Sequence, residues 1–112
     1  METTRQKKVS RVILRELGNY FQRNASLYAK GGMITVTDVK VSPDLGVAKV
    51  YLSIFAVEDK QAVVDLIKER KWEVRKFLAH ERSELRVAPE LMFFIDDSLD
   101  HIERIDNLLK GG

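Results

Sequence analysis

Three carboxylates stand together as Asp96-Asp97-x-x-Asp100, the one cluster in this chain that could hold a divalent cation. A Mg²⁺ ion on such oxygens would serve phosphoryl transfer, as in a metal-dependent nuclease. The same residues suit a helix start, where Asp accepts from free backbone N–H groups and meets the positive end of the dipole. A helix-periodic segment follows at once, which favours the capping role. The imidazoles are His80 and His101. His80 stands among Glu81, Arg82 and Glu84 on a charged stretch and is expected at the surface. His101, near a helix start, is expected to be exposed too, and neither has metal-ligand spacing to a second donor. The absence of Cys excludes a disulfide framework, a thiolate nucleophile and a Cys-based zinc site. Gly31-Gly32 lacks the spacing and the Lys-Ser/Thr partner of a phosphate-binding loop. No catalytic constellation is left, so the expectation is a non-enzyme without cofactor or metal.

The basic residues are more informative. The net charge of the 112 residues is only +2, from 19 Lys and Arg against 17 Asp and Glu. That total conceals segregation. Residues 1–30 hold seven basic and two acidic residues, and residues 68–86 hold seven and four. Residues 31–67 hold three and five, and residues 87–112 hold two and six. Charge gathered by segment is the footprint of a nucleic-acid binder, although two helices with solvated faces would show the same pattern. Lys68, Lys71, Arg75 and Arg82 follow one another at steps of three, four and seven, close to one helix face. Trp72 lies beside that face. Its indole could stack on an unpaired base, but a core or rim position is the favoured expectation. Glu69 and Glu73 intervene and can pair with these cations.

Length and composition ask for one domain, with 45% apolar residues to bury a core. No apolar run is long enough to span a bilayer. Met1-Glu-Thr-Thr-Arg5 lacks the apolar segment of a signal peptide, so a cytoplasmic location is expected. Val9, Val12, Ile13, Leu17, Tyr20 and Phe21 recur at helical spacing and predict an amphipathic helix over residues 5–24. Gly18 inside that pattern predicts a bend or an end nearby, and a linker from Asn24 closes on the breaker Lys30-Gly31-Gly32. Residues 33–42 read as a strand in which Ile34 and Val36 share one phase and Val39 and Val41 the other. One extra residue near Asp38 returns all four to one face, which predicts a β-bulge there. Ser42-Pro43-Asp44-Leu45-Gly46 is a turn, with Pro presetting φ and Gly accepting positive φ. Residues 47–57 complete an antiparallel hairpin, with Ala48, Val50, Leu52 and Ile54 on one side.

Residues 59–84 carry a long helical pattern through Val63, Ile67, Val74 and Leu78. Straight, it would reach about 39 Å, too long for a small sheet to cover, so a kink is expected. Val87-Ala88-Pro89 ends it and leads into a strand over residues 90–96. That strand is apolar on both faces, which predicts a central position or cover on both sides. A final short helix carries Leu99, Ile102, Ile105 and Leu109 and stops at Gly111. The order is α-β-β-α(kinked)-β-α, an α+β fold whose three-stranded sheet has helices on one face.

Val39-Lys-Val-Ser-Pro-Asp-Leu-Gly-Val-Ala-Lys-Val-Tyr51 resembles the first-hairpin signature of the bacterial ribosome-binding factor A family. Arg86-Val-Ala-Pro-Glu-Leu-Met-Phe-Phe-Ile-Asp-Asp-Ser98 resembles the last-strand signature of the same family. The basic N-terminal helix around Arg11-Val12 and the C-terminal Ile102–Leu109 stretch fit as well, so the resemblance spans about residues 5–109. It implies a single type II KH-like domain over residues 1–112, with residues 1–4 and 110–112 flexible. It implies a non-enzymatic protein that binds the immature small (30S) ribosomal subunit and its 16S ribosomal RNA, assists maturation of that RNA and serves growth at low temperature. Members of the family usually bear Ala-x-Gly at the helix kink. This chain has Lys71-Trp72-Glu73 there, which leaves open whether the bend moves toward Ala79 or the helix is less bent.

Charge map and resemblance together name the expected RNA contacts: Arg5, Lys7, Lys8, Arg11, Arg15, Lys71, Arg75, Lys76 and Arg82. Arg5, Lys7 and Lys8 are expected to form an arm, and Lys49 is a further candidate. Asp44 and Glu90 are assigned to structure, at a turn and a strand start. The partners expected are the small ribosomal subunit and its RNA, with no membrane, no small-molecule substrate and a monomeric free state. A protein-interaction module without RNA binding is the alternative.

Overall fold

The computed structural model describes residues 2–80 and 88–96, with the side chain of His80 excepted. Its elements run α1 (Thr4–Tyr28), β1 (Met33–Val41), β2 (Val47–Phe55), α2 (Lys60–Glu69), α3 (Lys71–His80) and β3 (Glu90–Ile95). The expected C-terminal helix, with Asp97, Ser98 and His101, lies outside the described residues, as does Arg82.

α1 opens on a capping box. The Gln6 N–H donates to Thr3 Oγ1 at 3.1 Å, and the Thr3 N–H donates to Gln6 Oε1 at 2.8 Å, so two end donors are satisfied reciprocally. The helix does not bend at Gly18, and it does not stop at Asn24. It runs on to Tyr28 across one non-helical residue, Asn24, whose φ is −115° and ψ 17°. Asn24 Nδ2 donates back to the Tyr20 carbonyl at 2.8 Å. The extra turn is stabilised by burying Tyr28 against Tyr20 and Phe21. Gly31, at φ +73°, then reverses the chain.

The sheet order is β1-β2-β3, antiparallel between β1 and β2 and parallel between β2 and β3. The bulge falls where the phase change in the sequence requires it. Val36 pairs with Leu52 and Asp38 with Tyr51, so Thr37 is the extra residue. Ile34, Val39 and Val41 are thereby all buried on one face, with Val36 packed against the same core. The hairpin turn also forms, but its left-handed residue is Leu45, at φ +61°, and not Gly46. Asp44 explains this: its Oδ1 accepts from Ser42 Oγ at 2.7 Å and from the Gly46 N–H at 2.9 Å. A Cβ on Gly46 would stand 3.2 Å from that oxygen. The Ser42 hydrogen bond first, then that from Gly46, holds the Asp44 carboxyl below its ordinary range.

The long helical pattern is two helices. The break is at Arg70, with φ −104° and ψ 23°, immediately before Lys71-Trp72-Glu73 and far from Ala79. β3 is an edge strand rather than a central one. Leu91 and Phe93 face the helices, while Met92 and Phe94 are exposed on the other side. Phe94 stacks on Tyr51, with ring centroids 5.4 Å apart.

All the described helices lie on one face of the sheet, and the core forms between them. Ile13, Leu17, Phe21, Leu52, Ile67, Val74, Leu78 and Phe93 are almost fully buried there. Phe21 is a hub, meeting Tyr20, Tyr28 and Phe93 edge-on or nearly so. Tyr20 links α1 to α3 through Phe77, at a centroid distance of 5.0 Å. This arrangement, a three-stranded sheet with the described helices on one face, agrees with the expected α+β fold.

Candidate nucleic-acid interface

Each basic residue that sequence reasoning singled out on α1 reaches solvent: Arg5, Lys7, Lys8, Arg11 and Arg15 are all exposed. The apolar stripe explains why. Val12, Ile13, Leu17 and Tyr20 take the buried face, so the intervening cations are turned outward. Arg5 and Lys7 belong to an ordered helix, not to a loose arm. Arg15 Nε lies 3.2 Å from Glu16 Oε1. Arg5, Lys7, Lys8 and Arg11 make no ion pair among the described residues.

Position strengthens their field. No acidic residue occupies the first turn of α1. Cations there add to the positive end of the helix dipole instead of offsetting it, an arrangement that costs stability and favours anions. The end of α1 is fixed by Gln6, whose Nε2 donates to the Val41 carbonyl at 2.9 Å. A shallow, open hollow of about 310 Å³ lies between this helix and β1, with Lys7, Arg11 and Lys40 on its walls beside Glu2 and Asp38. Sequence reasoning missed Lys40. Nothing in a strand's alternation says which helix will lie beside its edge.

The second basic stretch is differently employed. Lys71 is half-buried, and its Nζ lies 3.2 Å from Glu90 Oε1. Arg70 is bound to Glu73, Nε to Oε2, at 3.2 Å. Arg75 is exposed but donates from Nη2 to the Ala88 carbonyl at 3.2 Å. Lys68 and Lys76 are exposed and unpaired among the described residues. Trp72, expected in the core or at its rim, is 63% exposed.

Two backbone contacts bring the basic stretches to one end of the sheet. Val41, which holds Gln6, leads into the hairpin turn, and the Gly46 carbonyl at the other side of that turn accepts from the Glu90 N–H at 2.9 Å. Lys71 is tied to that same Glu90. The N-termini of α1 and α3 are therefore both tied to the turn end of the sheet, one at β1 and the other at β3. Lys49, paired across from Lys40, stands exposed on the helix-free face. Like charges directly opposite are unfavourable, so this pair too adds positive potential at a structural cost.

Of the carboxylate cluster only Asp96 is among the described residues, and these hold no group of three His, Asp or Glu placed to ligate a metal. Asp96 Oδ2 accepts from Thr37 Oγ1 at 2.6 Å, joining the end of β3 to the bulge. Asp97 and Asp100 lie outside the described residues. No described helix is long and apolar enough to cross a membrane.

Known proteins share this arrangement. The chain is 41% identical over 111 residues to a ribosome-binding factor A of Cytophaga hutchinsonii, covering 98% of this chain and 84% of that one. It is 43% identical over 113 residues to that of Flavobacterium johnsoniae, covering 99% and 87%. The crystal structure of ribosome-binding factor A from Thermus thermophilus superposes with a TM-score of 0.68 at 21% identity, over 80% of this chain and 94% of that one. A Thermus thermophilus homology model, fitted into a cryo-EM map of a 30S–ribosome-binding factor A complex, gives 0.59 at 21% identity, over 87% and 97%. These structures carry the fold; the relatives and the family model for ribosome-binding factor A, which matches residues 5–109, carry the lineage. A hairpin closed by Ser42–Gly46, a helix broken at Arg70 and a strand led in by Pro89 thus meet in one chain that belongs to the ribosome-binding factor A family.

Proposed function

We propose that the protein is a non-catalytic assembly factor that binds the immature small ribosomal subunit through its 16S ribosomal RNA and assists maturation of that RNA. It acts in the cytoplasm, as a monomer when free, without a small-molecule substrate or cofactor. The observation that carries this reading is the row Arg5, Lys7, Lys8 and Arg11 along the start of α1, exposed and without an ion pair among the described residues, on a helix whose first turn holds no acidic residue. A stability-driven design would place Asp or Glu there. Phosphate contacts of this kind position a protein on RNA without reading its sequence. Preference for the immature subunit follows if the precursor RNA presents a phosphate arrangement that fits both helix ends better than the mature one does, since a ligand favours the state it binds more tightly.

Sedimentation with precursor and mature small subunits tests the reading, and co-migration with the precursor alone is expected. The variant K71A/R75A/K76A should bind the precursor more weakly and with a flatter salt dependence, by about 0.7–0.9 in log–log slope for each phosphate left without its cation. Equal affinity and slope would remove these three residues from the interface. Failure of the unaltered protein to bind either subunit would overturn the function itself.

A further inference from the structure

α3 presents one outward face made of Trp72, Arg75, Lys76 and Ala79, all exposed, while Val74 and Leu78 take the buried face. Arg75 and Lys76 lie three and four residues after Trp72, so both stand one turn along on the same side. The ring contacts among the described residues join Tyr20, Tyr28, Tyr51, Phe21, Phe77, Phe93 and Phe94, and Trp72 enters none of them. The largest side chain in the protein thus stands 63% exposed at the break between two helices, with no ring partner among the described residues.

We propose that Trp72 is a stacking platform for an unpaired RNA base, with Arg75 and Lys76 holding the phosphates next to that base. The chemistry selects this occupant. An indole face offers dispersion and π-contact to any base that is not already stacked in a duplex. Cations one turn away supply the charge complement of a strand backbone, and Lys76 has no ion pair among the described residues to give up. Glu73, the nearest acid on α3, is engaged by Arg70 and so opposes the strand less. Lysine is depleted at protein–protein interfaces, and exposed Lys76 stands one turn from the indole. The proposal rests on the RNA-binding reading and sharpens it: the α2–α3 junction takes a single-stranded or looped-out segment, and α1 takes phosphates of any form.

Trp72 is the only Trp in the chain, so its fluorescence reports this site alone. Titration with a short single-stranded RNA should quench it, and the same sequence annealed into a duplex should not. With labelled RNA, W72A should lose about tenfold in affinity for the single strand, with an unchanged salt slope. W72F should retain most of the affinity. K76A should lower both affinity and slope. W72A binding the single strand as the unaltered protein does, or quenching by duplex equal to that by single strand, overturns the stacking role and leaves subunit binding standing. An unaltered protein that binds precursor subunits and is not quenched by them overturns it as well. Absence of binding to precursor subunits would overturn the wider reading instead. Since Trp72 is exposed, W72A is expected to fold, and W72L, which keeps apolar bulk without a ring, should bind as weakly as W72A if stacking is the role.

Discussion

The two basic regions use their charge differently. On α1, Arg5, Lys7, Lys8 and Arg11 hold nothing else in place among the described residues. At the α2–α3 junction, Arg70 braces the break through Glu73, Lys71 anchors the first residue of β3, and Arg75 caps the Ala88 carbonyl. The first region is a charge mounted on a helix that the core holds. The second is a charge that partly builds its own mount. Phosphate affinity and stability should therefore separate on α1 and remain coupled at the junction.

The sharpest break of that comparison removes the core beneath it. Phe21→Ala should destabilise the fold by about 3–5 kcal/mol, read as a lower urea midpoint, because Phe21 is fully buried and seats α1 on Phe93. Both basic regions would then lose their geometry together. K7A/K8A/R11A should act in the opposite sense. Subunit affinity should fall several-fold at low salt and the log–log salt slope should flatten by about 2–3. The urea midpoint should hold or rise, since cations leave a helix N-terminus. At the junction, K71A should lower both affinity and midpoint, the latter by no more than about 1 kcal/mol because the ion pair is largely exposed.

A pH experiment sharpens the view of α1 as a held element. Burial first, and then the hydrogen bond with Tyr20, raise the Tyr28 hydroxyl above its ordinary value. A group whose folded pKa is raised contributes stability that is complete below its unfolded pKa, about 10, and lost as pH climbs beyond it. The urea midpoint should therefore fall above pH about 10 and fall less steeply in Tyr28→Phe. The smallest effect belongs to Gly18, which is helical and has open space where a Cβ would stand. Gly18→Ala should raise stability by up to about 1 kcal/mol and leave binding unchanged.

How much of this was legible depended on whether the cause was local. The bulge was, since an odd step between Val36 and Val39 has one cheap remedy in a half-buried strand. The apolar face of α1 was too, and with it the outward turn of the cations. Its extra turn was not. It rests on Tyr28 finding Tyr20 and Phe21, and Asn24 was read as a stop although its side chain bridges the irregularity. The break at Arg70 could be expected from length alone, but no glycine or proline marks it; backbone angles at one ordinary residue do. β3 was misread because apolar residues on both faces suggest burial on both, whereas Met92 and Phe94 remain exposed. Leu45 took the left-handed position because Asp44 captures the Gly46 N–H. Of the interface, the residues were legible and the employment was not. Pairing of Lys71 with Glu90 joins positions 19 apart in the chain, and no spacing rule reaches that far.

The bulge at Thr37 has a consequence for encounters between copies of the chain. Among the described residues β1 lies at the edge of the sheet, and the outward N–H and C=O groups of an edge strand are a template onto which another strand could pair. An extra residue near its middle interrupts that template, and exposed Asp38 and Lys40 set opposite charges just beyond the interruption. A second strand could pair along a few residues and would then fall out of step. The device that puts four apolar side chains on one face thus also guards that edge against self-assembly, which suits a protein proposed to meet RNA rather than its own copies.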